Sequence, residues 1–312
     1  MIELLTDLTD VASHLRGGAV AVGNFDGVHR GHAALIARLL EMSRTVGGPS
    51  IVMTFNPPPV AILVPDRPPT PPLTSIPRRA ELLGRLGVDA LVAYPTDRKL
   101  LDLSPQAFFE EKLRTGLGIK GMVEGPNFRF GKDRAGDTNL LAELCQQASI
   151  GLEIVRGELS DEAMISSTRI RKEISSGQIL AANAMLTEPY LIEGIVVKGE
   201  SRGAKLGFPT ANLEALRNMI PHHGVYAGML VLQGKRHCAA VHIGPNPTFG
   251  EDENKVEVHI LDWTGDLYGE HLQCSLLAEV RPVKKFESVD DLKQQLQLDL
   301  QHCRQAFAAH QG

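Results

Sequence analysis

Gly23-Asn24-Phe25-Asp26-Gly27-Val28-His29-Arg30-Gly31-His32 is the stretch that decides how the first half of this chain folds. The apolar run Ala19-Val20-Ala21-Val22 leads into it and reads as a buried strand. Leu35, Ile36, Leu39, Leu40 and Met42 follow at helical spacing. The motif is therefore a strand-to-helix turn. Gly23 and Gly27 let backbone approach a ligand closely, and Gly31 opens the helix. The free N–H groups of a helix start favour an anion. His29 and His32 are three apart, so both imidazoles project from one side of the first turn. These residues predict a polyphosphate site. The plain alternative is a junction carrying two surface histidines.

Outward from that stretch, residues 18–186 alternate strand and helix. Strands are predicted over 50–55, 90–94, 119–123 and 152–155, and helices over 76–86, 105–113 and 139–148. This order predicts a parallel sheet with helices on both faces. In such sheets ligands bind beyond the carboxyl ends of the strands. The opening motif, Thr54-Phe55-Asn56 and Gly125-Pro126-Asn127 all fall there. Nine of the nineteen prolines lie between residues 56 and 77, which predicts an irregular surface loop near the site.

Around Glu188-Pro189 the pattern changes. Short strands over 190–197, 226–232, 237–243, 256–261 and 273–280 predict an antiparallel barrel. A closing helix over 289–309 has Leu292, Leu296, Leu300, Cys303 and Phe307 on one stripe, with Ser288 as its N-cap. The expected architecture is an α/β doubly wound parallel-sheet domain over 1–186, then an antiparallel β-barrel domain with a terminal helix over 187–312.

A chain of 312 residues suffices for two such domains. The net charge of −5, with no basic block, argues against nucleic-acid or membrane-surface partners. Four widely spaced cysteines form no metal motif or disulfide framework, so reduced thiols in the cytoplasm are expected. The acidic N-terminus lacks a signal-peptide layout, and no apolar run approaches membrane-spanning length.

Three further stretches carry chemistry. Gly125-Pro126-Asn127-Phe128-Arg129-Phe130-Gly131-Lys132 mixes glycines, cations and an amide, which suits a planar ring and a phosphate. Ile165-Ser166-Ser167-Thr168-Arg169-Ile170-Arg171 precedes a helix. Its hydroxyls would ordinarily be N-caps. Together with Arg171 and the helix N–H groups they make an anion clamp. Residues 198–213 hold Gly199, Gly203 and Gly207 with Lys198, Arg202 and Lys205, a loop suited to nucleotide phosphates. Thr210 and Asn212 share a face if extended, and a hydroxyl with an amide oxygen can hold Mg²⁺. The Walker pattern is absent. Glu257 lies in an apolar β run, where an outward carboxylate is the ordinary case.

These stretches read G-x-F-D-G-x-H-x-G-H, G-x-[DN]-F-x-F-G, I-S-S-T-x-x-R and G-x-x-R-G-x-x-L-G-x-P-T-A-N. In this they resemble the bacterial bifunctional riboflavin kinase/FAD synthetases. Residues 224–228, 243–250 and 256–262 resemble that family too. The resemblance implies transfer of the ATP γ-phosphoryl group to riboflavin by the C-terminal domain, giving FMN. It implies joining of AMP from a second ATP to FMN by the N-terminal domain, giving FAD and pyrophosphate. It makes Glu257 the general base of the kinase, and Thr210 and Asn212 the holders of Mg²⁺. Gly199, Arg202, Gly203, Lys205, Gly207, Pro209, Thr210 and Asn212 would bind nucleotide. In adenylyl transfer His29, His32 and Arg171 would stabilise charge, while Gly23, Phe25, Asp26, Gly27, Asn127, Ser167 and Thr168 bind substrate. Arg281, after the last strand, is a candidate to close over the nucleotide.

One position departs from the pattern. The family has F-[DN]-P-H-P after its second strand, and here Phe55-Asn56-Pro57-Pro58-Pro59 puts Pro58 in place of the histidine. Any contact from that side chain is lost. A riboflavin kinase with weakened or lost adenylyl transfer is thus the alternative. A flavin- or nucleotide-sensing protein without turnover is a third reading, but mere binding needs no base such as Glu257. The expected partners are the small molecules riboflavin, FMN and ATP, and the sequence does not set the oligomeric state.

Overall fold

The computed structural model describes residues 2–9, 11–66, 68, 70–155, 159–160, 163–200, 202–246, 248 and 251–311. The chain divides into two compact units. The first comprises Met1–Thr70 and Ser75–Ser166, the second Pro71–Thr74 and Ser167–Gly312.

The first unit holds β1 (Glu3–Leu5), β2 (Ala19–Val22), α1 (Arg30–Val46), β3 (Ser50–Asn56), α2 (Pro59–Leu63), α3 (Ile76–Arg85) and β4 (Ala90–Pro95). It continues through α4 (Arg98–Leu101), α5 (Pro105–Phe108), β5 (Gly121–Glu124), α6 (Thr138–Gln147) and β6 (Gly151–Ile154) to a short hairpin, β7 (Leu159–Ser160) and β8 (Ala163–Met164). Six strands form one parallel sheet in the order β1-β4-β3-β2-β5-β6. Alternate strand residues feed opposite faces. Val20, Val22, Ile51 and Met53 pack with Phe108, Phe109 and Leu141 on one face. Ala19, Ala21 and Val52 pack with Ile36 and Leu39 of α1 and Leu82 and Leu83 of α3 on the other. Both faces are covered, as an all-parallel sheet requires. The expected doubly wound fold is present, with β1 added at one edge.

The second unit opens with α7 (Ser167–Ser175) and α8 (Ile179–Met185). Then come β9 (Leu191–Val197), α9 (Arg202–Leu206), β10 (Ala211–Glu214), β11 (Gly224–Leu232), β12 (Lys235–Asn246), β13 (Glu251–Ile260), β14 (His271–Pro282) and α10 (Val289–Gln311). The strands close into a barrel, β10-β13-β12-β11-β14-β9, and every pair is antiparallel. Cys303, Leu300 and Phe307 of α10 pack with Ala227, Cys238 and Leu277. The Asp291 N–H donates to Ser288 Oγ at 3.1 Å, so Ser288 caps α10 as expected. Asn183 of α8 donates to the Leu276 carbonyl at 2.9 Å and accepts from the Tyr190 N–H at 2.7 Å. These bonds tie α8 to the barrel. The Pro71–Thr74 segment joins the same unit, since the Met219 N–H donates to the Pro72 carbonyl at 2.8 Å.

Candidate active sites

In the first unit the strand β2 ends where the Gly23 N–H donates to the Met53 carbonyl at 3.0 Å. The chain then turns tightly. Phe25 and Val28 adopt φ of 46° and 42°, beside Gly27 at 86°. Left-handed backbone at a buried β-branched residue costs energy and persists only where surroundings enforce it. Here a buried ion pair does so. Arg79 of α3 donates to Asp26 Oδ1 at 2.9 Å, to the Asn24 carbonyl at 2.7 Å and to Thr54 Oγ1 at 3.1 Å. Asp26 thus meets a guanidinium that no local motif announces. Beyond the turn His29 caps α1, its Nδ1 accepting from the His32 N–H at 3.3 Å. The two imidazoles stack at 3.6 Å and 13°, and the Phe25 ring lies 4.9 Å from His32. A Cβ on Gly31 would come within 3.3 Å of the His29 ring, so only glycine leaves this packing unforced.

Burial pulls the His29 pKa down to about 4, against the opposing pull of Asp26. Burial also holds His32 well below its usual value, helped by His29 and Arg79. Both rings are therefore neutral at neutral pH. Glu124, at the end of β5, accepts the Val22 N–H at 2.7 Å, and burial raises its pKa strongly. Asn127 lies exposed in the turn after β5, the neighbour of β2 in the sheet. The structure thus gathers Gly23, Phe25, Asp26, Gly27, His29 and His32 beyond β2, with Asn127 beyond the adjacent strand. Pro58 precedes α2 and contributes only its carbonyl, which accepts from the Ala61 N–H at 2.9 Å. Ser167 and Thr168 begin α7 and Arg171 lies in its first turns, within the second unit.

In the barrel, register does the assembling. Glu257 of β13 pairs with Asn212 of β10 on one side and with His242 of β12 on the other. Directly opposed residues of antiparallel strands share a face. Glu257 lines a cavity of about 150 Å³ with Thr210, His242, Asn246, Lys255 and Arg281. Its Oε2 accepts from Asn246 Nδ2 at 3.3 Å. Among the described residues its Oε1 accepts no hydrogen bond. A second cavity of about 300 Å³ also touches Thr210 and is walled by Trp263 and Tyr268.

The glycine pattern before β10 has steric causes. A Cβ on Gly199 would lie 2.1 Å from Asn212 Nδ2, and one on Gly203 would lie 2.4 Å from the Phe208 carbonyl oxygen. Gly207 adopts φ of 92°. The Pro209 carbonyl is 2.7 Å from His259 Nδ1. The side chains of Arg202 and Lys205 lie outside the described residues, as do Ser201, Pro247, Phe249 and Gly250. Arg281 is anchored by the buried Asp299 of α10, with Nε and Nη2 each 2.9 Å from Oδ2. Asp299 was hidden in the sequence, although it interrupts the apolar stripe between Leu296 and Leu300. Thr210 and Asn212 offer hard oxygen donors beside Glu257, the set Mg²⁺ accepts together with phosphate oxygens and water. No group of three or more His, Cys, Asp or Glu among the described residues could hold a metal alone.

The parallel sheet with its helix-start loop and the closed barrel with the Glu257 cavity fit a two-unit enzyme of nucleotidyl and phosphoryl transfer. Residues 11–169 match the FAD synthetase family and residues 186–307 the riboflavin kinase family. The bifunctional riboflavin kinase/FMN adenylyltransferase of Escherichia coli K12 is 35% identical over 93% of each chain. That of Pseudomonas fluorescens is 33% identical over 99% of this chain and 98% of its own. A solved structure described as a macrolide-efflux protein from Streptococcus pneumoniae superposes with TM-score 0.85 and 32% identity, covering 96% and 98%. No helix among the described residues is long and apolar enough to cross a membrane. The chain belongs to the bifunctional riboflavin kinase/FMN adenylyltransferase family. The match through both halves does not favour the kinase-only alternative.

Proposed function

We propose that this chain phosphorylates riboflavin to FMN and then adenylylates FMN to FAD. Phosphorylation is assigned to residues 187–312 and adenylylation to residues 1–186. The observation that carries the reading is Glu257: one carboxylate oxygen is held by Asn246 and the other is open. A general base needs this availability within reach of the attacking hydroxyl. Glu257 takes the proton from the ribityl 5′-hydroxyl as that oxygen bonds the γ-phosphorus of ATP, and ADP leaves. Thr210 and Asn212 hold Mg²⁺, which when bound neutralises charge on the phosphate oxygens. The Trp263–Tyr268 cavity, sharing Thr210 with the Glu257 cavity, suits a planar base.

In adenylyl transfer an FMN phosphate oxygen attacks the α-phosphorus of ATP and pyrophosphate leaves. No covalent enzyme intermediate is required. His29 and His32, at the start of α1, meet the phosphates with hydrogen bonds and the helix N–H groups. Ser167 and Thr168, within the FAD synthetase match, and Arg171 just beyond it, serve the same reaction. Four buried free cysteines fit a reducing compartment, and the cytoplasm is the proposed location. Incubation with riboflavin, ATP and Mg²⁺ tests the reading. FMN should appear first and FAD at its expense; FMN that accumulates without FAD would support the kinase-only alternative.

A further inference from the structure

His242 sits directly opposite Glu257 in the β12–β13 register and lines the same cavity. Its ring is tethered, because Nε2 lies 3.2 Å from the carbonyl oxygen of Pro245, three residues further along β12. Asn246, next along the strand, is the donor that holds Glu257 Oε2. One short segment therefore carries both groups that border the carboxylate on this side. We propose that His242 is a positioning residue for riboflavin phosphorylation. Its tethered imidazole walls Glu257 into the orientation in which Asn246 holds one oxygen and the other faces the cavity.

The inference rests on the assignment of Glu257 as base. Charge supports it. Burial, together with Arg281, lowers the His242 pKa against the pull of Glu257, so a neutral ring borders the carboxylate. A cation there would draw the carboxylate toward itself and lower its basicity. The other ionisable groups around this cavity are Lys255 and His259 of β13, Glu200, Lys284, and Arg281 with its partner Asp299. No hydrogen bond runs between His242 and Glu257, so the imidazole acts as a wall and not as a proton relay.

Steady-state kinetics of the full-length protein test this. His242→Ala frees the carboxylate, and kcat for riboflavin phosphorylation should fall about tenfold or more, with KM for ATP and riboflavin little changed. His242→Asn, which keeps a side-chain donor toward the Pro245 carbonyl, should recover most of the loss. Unchanged KM values and a parent-like melting curve report that the barrel is folded, and FMN adenylylation by the same preparations should be unchanged. The decisive comparison places His242→Ala in a Glu257→Gln background, where it should cost nothing further, because two residues acting through one step are not additive. An unchanged kcat in His242→Ala, a loss confined to KM, or an undiminished loss in the Glu257→Gln background would each overturn the proposal. If Glu257→Gln itself retains turnover, the base assignment fails, which is a different result.

Discussion

The two sites reach opposite solutions to one problem, the handling of ATP phosphates. Beyond β2 the first unit builds a closed, buried loop, in which the Asp26–Arg79 pair holds the turn and neutral histidines stack at the helix start. The barrel leaves its critical carboxylate half open and lines the cavity with Lys255, Lys284 and Arg281. The first arrangement relies on preorganised dipoles and the second on a proton acceptor. The contrast follows the chemistry assigned to each. An FMN phosphate is already a nucleophile and needs only placement, whereas a sugar hydroxyl needs its proton removed.

The largest break in that comparison is expected at Glu257. Glu257→Gln keeps shape and hydrogen bonding but accepts no proton, so phosphorylation should slow by about 10²–10⁴-fold. Adenylylation of supplied FMN should not change. Near-normal phosphorylation would return Glu257 to the ordinary role of a strand carboxylate. His32→Ala removes one preorganised group beyond β2 and should slow FAD formation by about 10²–10³-fold, leaving FMN formation alone. Equal loss of both activities would indicate misfolding instead.

Arg79→Met sharpens the contrast in stability. It removes the guanidinium that pairs with the buried Asp26, and breaking a buried ion pair on one side costs about 3–5 kcal/mol. Thermal melting should show this loss while riboflavin phosphorylation at low temperature persists. A melting curve like the parent's would mean that Asp26 rehydrates easily.

The smallest effect is in pH. The folded pKa of His29, about 4, lies below the usual 6.5, so the unfolded chain binds the extra proton. Its contribution is fully present above about pH 6.5 and is lost as pH falls toward 4, at up to about 1.4 kcal/mol per pH unit. His32 acts in the same direction. Denaturant midpoints between pH 7 and pH 4 measure the slope, which His29→Asn should flatten.

Much of this was legible in sequence for local reasons. The strand, turn and helix around Gly23–His32 follow from neighbouring residues, as does the Ser288 cap. Several short elements were not, α2, α4 and α8 among them. The strand β1 has three residues, while β10 and α9 lie inside a glycine-rich stretch that reads as loop. The partners of the sites were hidden for a different reason. Arg79 reaches Asp26 across 53 positions, and Arg281 reaches Asp299 from another element. His242 meets Glu257 only through strand register. Such pairings are set by the closed fold, and no spacing rule encodes them. The histidines' neutrality was equally invisible, because it comes from burial.

The central claim is that one chain carries two separable reactions, and complementation tests it most directly. Glu257→Gln and His32→Ala proteins are mixed with riboflavin, ATP and Mg²⁺, and FAD is followed over time. Each variant alone should make little FAD from riboflavin, while the mixture should make it readily as FMN passes from one protein to the other. A mixture no better than either variant, from proteins that each keep their other activity, would contradict the account.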